Sequence, residues 1–191
     1  MLKFITGSVL SGKTMLLLEI ISLVDPDARW ILQRDFPNHN GEFKIQSRAR
    51  FTEEVNPDEI VTEDMNLFEK FKKLEHKNKI KAVFCDEIQF FTRKHIDQLT
   101  KINQEYGVKI YVCGISETHD NNTWDTIKYL NDKLHSTIRI QSKCHYCSKP
   151  AETNIRADLN QKTQLIDTVN DGESEKYYGS CLECHDTLYK K

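Results

Sequence analysis

The apolar run Leu2-Lys-Phe-Ile-Thr6 leads directly into Gly7-Ser-Val-Leu-Ser-Gly12-Lys13-Thr14, and Met15 to Val24 continues as a leucine- and isoleucine-rich helical stretch. The middle segment meets every position of G-x-x-x-x-G-K-[ST], and a strand before it with a helix after it is the context that gives this pattern meaning. Glycines let the backbone curl until successive N–H groups converge, and the start of the following helix adds partial positive charge. Gly7, Ser8, Ser11 and Gly12 would line such a loop, Lys13 would reach the β- and γ-phosphates of a nucleoside triphosphate, and the Thr14 hydroxyl would ligate Mg²⁺. A chain that begins this way is expected to place a triphosphate at the end of its first strand.

The remaining pattern predicts the sheet around that strand. Apolar strand-like runs occur at Arg29 to Gln33, Phe43 to Ser47, Ile80 to Cys85, Val108 to Cys113 and Ser136 to Gln141. Helical stripes fall between them at Met65 to Asn78, His95 to Tyr106 and Trp124 to Leu134, while Thr52 to Asp64 reads as loop with short structure. Alternating strand and helix predicts an α/β fold, a parallel sheet flanked by helices with the ligand at the carboxyl ends of its strands. A length of 191 residues leaves room for one main domain and a small appendage. With a net charge of −2 and acids and bases interspersed, the chain lacks the basic excess of a protein that coats nucleic acid. No apolar run approaches membrane-spanning length, and the N-terminus reads as strand and phosphate loop, so no membrane partner, no removable leader and a cytoplasmic location are expected.

Two further constellations carry chemistry. Ala82-Val-Phe-Cys-Asp86-Glu87 is an apolar strand that ends in two carboxylates. Beside a phosphate loop, Asp86 is the candidate for completing the Mg²⁺ site, and Glu87 could accept a proton from an attacking hydroxyl. Cys144-x-x-Cys147 and Cys181-x-x-Cys184 supply four thiolates, the number that closes a structural Zn²⁺ tetrahedron. A reducing compartment argues against disulfides, and His145 and His185 stand beside the pairs as alternative ligands. Cys85 and Cys113 end apolar runs and read as small buried hydrophobes. From Cys144 onward long helical stripes give way to short β-prone pieces, so the expected division is a nucleotide-binding α/β domain over 1–143 and a small zinc-ribbon-like domain over 144–191.

Together these residues resemble the tetrameric, zinc-containing thymidine kinases of animal cytosol, many bacteria and some viruses. Gly7-Ser-Val-Leu-Ser-Gly-Lys-Thr14 is similar to that family's phosphate loop, Asp86-Glu-Ile-Gln-Phe-Phe91 to its D-E-[AG]-Q-F-F, and Gly114-Ile-Ser-Glu-Thr-His-Asp120 to its G-L-D-G-T-F-Q. Cys144, Cys147, Ala151 and Arg156 match the first cysteine region, and Lys176, Tyr177, Cys181 and Cys184 the second. The resemblance implies ATP-dependent phosphorylation of thymidine with Glu87 as general base and Lys13, Thr14, Asp86 and Gln89 on the cofactor side. It implies a nucleoside site at Phe90, Ile115, His119, Trp124, Asn154 and Tyr177, and a homotetramer. It also implies that residues from about Thr163 to Tyr177 form a lasso over the nucleoside, anchored by the cysteine knuckles.

The chain departs from the resemblance at several places: His119 stands where the family has phenylalanine, Asn154 where it has threonine, Val9 where it has methionine. Asp35-Phe36-Pro37 lacks the arginine of the family's D-x-R, leaving Arg34, Arg48 or Arg50 to replace it. These mark a divergent member and leave the phosphoryl-transfer residues intact. The competing reading is a phosphate-loop ATPase with a structural zinc ribbon acting on nucleic acid or a protein partner. It predicts a basic stripe or an aromatic ladder, and it leaves the Asp86–Phe91 hexapeptide unexplained.

Overall fold

The computed structural model describes residues 1–36, 42–47, 54–119, 122–156 and 177–189. In chain order its main body runs β1 (Leu2–Gly7), α1 (Lys13–Ser22), β2 (Arg29–Arg34), β3 (Ile45–Gln46), β4 (Glu54–Val55), β5 (Glu59–Val61), α2 (Leu67–Lys73), β6 (Ala82–Cys85), α3 (Arg93–Tyr106), β7 (Lys109–Cys113), α4 (Asp125–Asn131) and β8 (Ser136–Ile140). Six strands form one sheet in the order β5-β2-β6-β7-β1-β8, and every pairing within it is parallel. β6 is buried along its whole length, as the unbroken apolar run Ala82 to Cys85 requires of a strand covered on both faces.

The period of two in β2 sorts its side chains between two cores. Trp30 and Leu32 pack with Leu67 and Phe71 of α2, Ile96 and Leu99 of α3 and Leu130 of α4. Ile31 points the other way, into a cluster with Ile5, Phe84, Ile45 and the α1 residues Leu17, Leu18 and Ile21. The sheet is thus sandwiched between α2, α3 and α4 on one face and α1 with the β3–β4 ribbon on the other, the arrangement expected from the alternation of elements.

Differences from the sequence reading are local. The strand expected over Phe43–Ser47 contracts to Ile45–Gln46 and pairs antiparallel with Glu54–Val55, outside the main sheet. Glu59–Val61, read as part of a loop, is an edge strand bonded to Leu32–Arg34. Three residues between acids and Pro57 carry too short a pattern to reveal a strand that is held by its neighbour. The helix expected from Met65 to Asn78 stops at Lys73, and the chain then turns through bonds from Lys77 N to Leu74 O and from Ile80 N to Lys77 O. α3 starts at Arg93 because Thr92 caps it. The Thr92 hydroxyl accepts from His95 N, the His95 ring accepts from Thr92 N, and Gly107 at φ 68° ends the helix.

The C-terminal part has its own two-stranded antiparallel sheet, β9 (Thr153–Arg156) with β10 (Tyr177–Ser180), followed by α5 (Leu182–Tyr189). Residues 157–176, which hold most of the expected lasso, lie outside the described residues, as do Asp120, Arg48 and Arg50.

Candidate active site

The phosphate loop joins β1 to α1 at the carboxyl edge of the sheet. Gly12 adopts φ 92°, which a side chain would strain, and a Cβ on Gly7 would run into the Ile140 carbonyl and the Ser11 hydroxyl. Lys13, the first residue of α1, is buried, and its Nζ donates to the Ser8 carbonyl at 2.8 Å. Ser8 is buried in the loop, whereas the Ser11 hydroxyl is a buried polar atom with no hydrogen-bond partner among the described residues. β7 lies between β1 and β6, but Thr14 sits on α1, which packs against Phe84 of β6 and Cys113 of β7, and its Oγ1 donates to Asp86 Oδ2 at 3.3 Å. The two proposed Mg²⁺ residues therefore meet, an oxygen pair of the hard-donor kind that Mg²⁺ takes.

Asp86 is buried at the end of β6. Burial first, and then the neighbouring charge of Glu87, push its pKa up to about 7, against the pull of the Glu87 N–H, the Cys113 thiol and the Lys13 cation. The Glu87 N–H donates to Asp86 Oδ1 at 3.0 Å. Cys113 is buried as expected, and its thiol lies beside the Asp86 carboxylate and helps to hold that pKa down, a proximity that a strand-end cysteine does not announce in sequence.

Glu87 follows in the left-handed region, φ 51° and ψ 48°, and is exposed between buried neighbours. A non-glycine residue held there stores strain of about 1–3 kcal/mol, and such strain gathers where a side chain must be aimed against local preference. Gln89, expected on the cofactor side, is buried behind the glutamate. Its Nε2 donates to Glu87 Oε2 at 2.5 Å and its Oε1 accepts from the Ile115 N–H at 3.3 Å. Gln89 thus ties the carboxylate to the loop after β7, and Ile115 enters the site through its backbone. Gly114 has no room for a side chain, since a Cβ would meet Gln89 Oε1.

Beyond Glu87 stands a row of aromatic rings. Phe90 meets Phe36 edge-on at 5.3 Å and Trp124 edge-on at 5.6 Å between ring centres. Arg34 lies over Phe36 at 5.4 Å and pairs with Asp35 at 3.0 Å. It is buried, and among the described residues its Nε and Nη1 have no hydrogen-bond partner, nor does the Trp124 indole Nε1. Arg34 was one of three arginines the sequence offered in place of the missing one, whereas Phe36 was not singled out as a site residue, and only packing brings its ring to Phe90.

The remaining expected nucleoside residues come from the join with the C-terminal part. His119 is buried, and its carbonyl oxygen lies 2.7 Å from His185 Nε2. Asn154 is buried in β9, its Oδ1 accepting from the Val9 N–H at 2.6 Å and its Nδ2 donating to the Glu117 carbonyl at 3.4 Å. Tyr177 opens β10 opposite Arg156. Thr153, one place earlier than Asn154, is buried on the other face of the strand, as alternation requires.

Cys144, Cys147, Cys181 and Cys184 bring their sulfurs within 4.8 Å of one another, with Cys147 and Cys181 at 3.5 Å. Zinc–sulfur bonds of about 2.3 Å set tetrahedral sulfurs about 3.8 Å apart, so the four fit the ion. Burial pushes the Cys144 thiol up, but N–H groups of Cys181, Tyr146 and Cys147 aimed at its sulfur hold its pKa at about 6. Cys184 is pushed up to about 12 by the thiols of Cys147 and Cys181, as expected of crowded sulfurs that need a cation before all can ionise. Neither histidine joins them, for His145 stacks on Tyr178 at 4.2 Å and His185 turns to His119.

The thymidine kinase family model matches residues 1–185. The chain is 26% identical over 183 residues to the thymidine kinase of Lactobacillus acidophilus, covering 92% of this chain and 90% of that one. It is 28% identical over 182 residues to the thymidine kinase of Listeria monocytogenes, covering 94% and 93%. Among solved structures, the Pif1 helicase from Candida albicans is similar over 72% of this chain and 35% of that one, at 15% identity and a TM-score of 0.44. A likeness so loose does not bear on activity, and the family match does not favour an ATPase that works on nucleic acid.

Proposed function

The chain belongs to the thymidine kinase family, and we propose that it moves the γ-phosphoryl group of ATP to the 5′-hydroxyl of thymidine, giving ADP and thymidine monophosphate. The observation that carries this reading is the meeting of Thr14, Asp86 and the exposed, strained Glu87 at one end of the sheet. Phosphoryl transfer with a loose transition state needs positioning and charge neutralisation more than covalent help.

The phosphate loop and Lys13 bind the triphosphate. Thr14 and Asp86 would hold Mg²⁺, directly or through water, and the ion supplies neutralisation of phosphate charge. Glu87, held by Gln89, takes the proton of the 5′-hydroxyl as the new P–O bond forms. Phe90 packs against the base, with Trp124 and Phe36 as its walls, and Ile115, His119 and Tyr177 complete the nucleoside side. Arg34 brings to the same end of the sheet a guanidinium paired with Asp35 through Nη2, with Nε and Nη1 unpaired among the described residues. Residues 1–143 act as the nucleotide-binding unit and 144–191 as a Zn²⁺-stapled unit carrying the closing lasso, and closure would exclude water as a rival acceptor. The proposed setting is a cytoplasmic homotetramer.

The test is ATP-dependent phosphorylation of the four deoxynucleosides and deoxyuridine with Mg²⁺ present. Monophosphate from thymidine is expected. Product from another nucleoside alone would change the substrate and keep the mechanism, whereas ATP hydrolysis with no deoxynucleoside monophosphate formed would overturn the proposal.

A further inference from the structure

Two consecutive residues of the phosphate loop are held by the chain that follows β8. Ser142 and Ser8 share a hydroxyl–hydroxyl bond of 2.6 Å, and Asn154 Oδ1 takes the Val9 N–H at 2.6 Å. Opposite Asn154 in the hairpin is Gly179, where a Cβ would stand 2.9 Å from Ser8 Oγ, so a bare backbone is what lets the loop approach. The other end of the Asn154 amide donates to Glu117 O, in the loop that also supplies Ile115 to Gln89. The hairpin is itself tied to the cysteine knuckles, with His145 N donating to Gly179 O and Glu152 N to Ser180 O.

We propose that Asn154 is a positioning residue for the ATP phosphates rather than a nucleoside contact: its carboxamide clamps the phosphate loop and the loop after β7 onto the cysteine-anchored hairpin. This rests on the reading of Gly7–Thr14 as the ATP site. Both ends of the buried amide are engaged by backbone, so its plane is set by the two loops it joins. An amide plane pinned at Val9 sets the direction of the N–H groups that follow it in the loop, and those are the groups that a phosphate oxygen meets. Removing the clamp takes this partner from the half-buried Val9 N–H and Glu117 C=O, which favours a reoriented loop over the native one. The chemistry of the side chain matters in both directions: alanine deletes both bonds, while aspartate keeps an acceptor for Val9 and loses the donor for Glu117.

The experiment compares the full-length protein with N154A and N154D by calorimetric titration with Mg·ATP, hydrogen–deuterium exchange of the peptides covering 7–14 and 114–119, zinc content, and KM for each substrate. For N154A the expected result is unchanged zinc, faster exchange in both peptides, ATP affinity about tenfold weaker, and a thymidine KM moved by less than about twofold. For N154D the 7–14 peptide should stay protected while 114–119 exchanges faster, and this pattern decides the matter if N154A does not fold. Unchanged ATP affinity and exchange in N154A would overturn the proposal, as would a rise in thymidine KM alone, which would return Asn154 to the nucleoside site. Should the wild-type protein bind no ATP, the kinase reading fails, and the exchange pattern still tests the clamp.

Discussion

Glu87 and Asp86 are adjacent carboxylates with opposite environments, one exposed at φ 51° and one buried. Glu87→Gln keeps the shape and the contact with Gln89 but cannot take a proton. Turnover should fall by about 10²-fold or more while Mg·ATP binding persists, and near-normal turnover in a steady-state assay would remove Glu87 as the base. Asp86 carries a pH signature. Its folded pKa, about 7, lies above its ordinary value of 3.8, chiefly through burial. The folded state therefore holds a proton that the unfolded chain releases, so this contribution to stability is full below the ordinary value and is lost as pH rises through about 7. Without nucleotide or Mg²⁺, Asp86→Asn should melt higher than wild type at pH 8, with the gap narrowing towards pH 5. A gap that stays constant over that range in thermal melts would show that Asp86 is not held protonated.

At the level of elements, the turns after β6 and β7 work as a pair. The η-turn Ile88–Phe90 places Gln89 against the start of the next loop, and Gly114 leaves the space Gln89 occupies. Gly114→Ala should push Gln89 off the Ile115 N–H and loosen Glu87, lowering kcat by about tenfold or more, and should lower the melting temperature because the added Cβ also crowds Ile88; an unaltered kcat would show that Gln89 does not position the base. The start of α3 makes the converse case. Thr92→Ala removes one half of the capping box, and urea denaturation should show a loss of about 1 kcal/mol with turnover unchanged. The sequence showed the helix but not its cap, because the N3 partner is His95 rather than the usual glutamate or glutamine. β5 was likewise invisible, since an edge strand of three residues takes its conformation from Leu32–Arg34 beside it.

For the whole molecule, the cysteine cluster and the phosphate loop are one mechanical system. Ser142, Asn154 and His185 reach from the hairpin side to Ser8, Val9 and His119. The purified protein should carry about one zinc per chain, measured by atomic absorption. Cys181→Ser should lose that zinc and lower the melting temperature, and it should weaken Mg·ATP binding as well as thymidine binding, because the loop loses its support. A zinc-free preparation with full activity would break the link between the staple and the site.

What the sequence determined by itself was whatever is encoded by contiguous residues. A glycine-lysine loop between strand and helix, an apolar strand ending in two acids and two spaced cysteine pairs each carry their chemistry in their own spacing, and the parallel sheet follows from the alternation of strand and helix patterns. Tertiary structure alone decided how these pieces touch. It brought Thr14 to Asp86 across an intervening strand, set the Cys113 thiol beside Asp86, assembled Phe36, Phe90 and Trp124 into a row, and engaged both ends of the Asn154 amide with backbone. Those contacts join residues far apart in the chain, and a hydrogen bond depends on where two atoms lie in space, which no local spacing records.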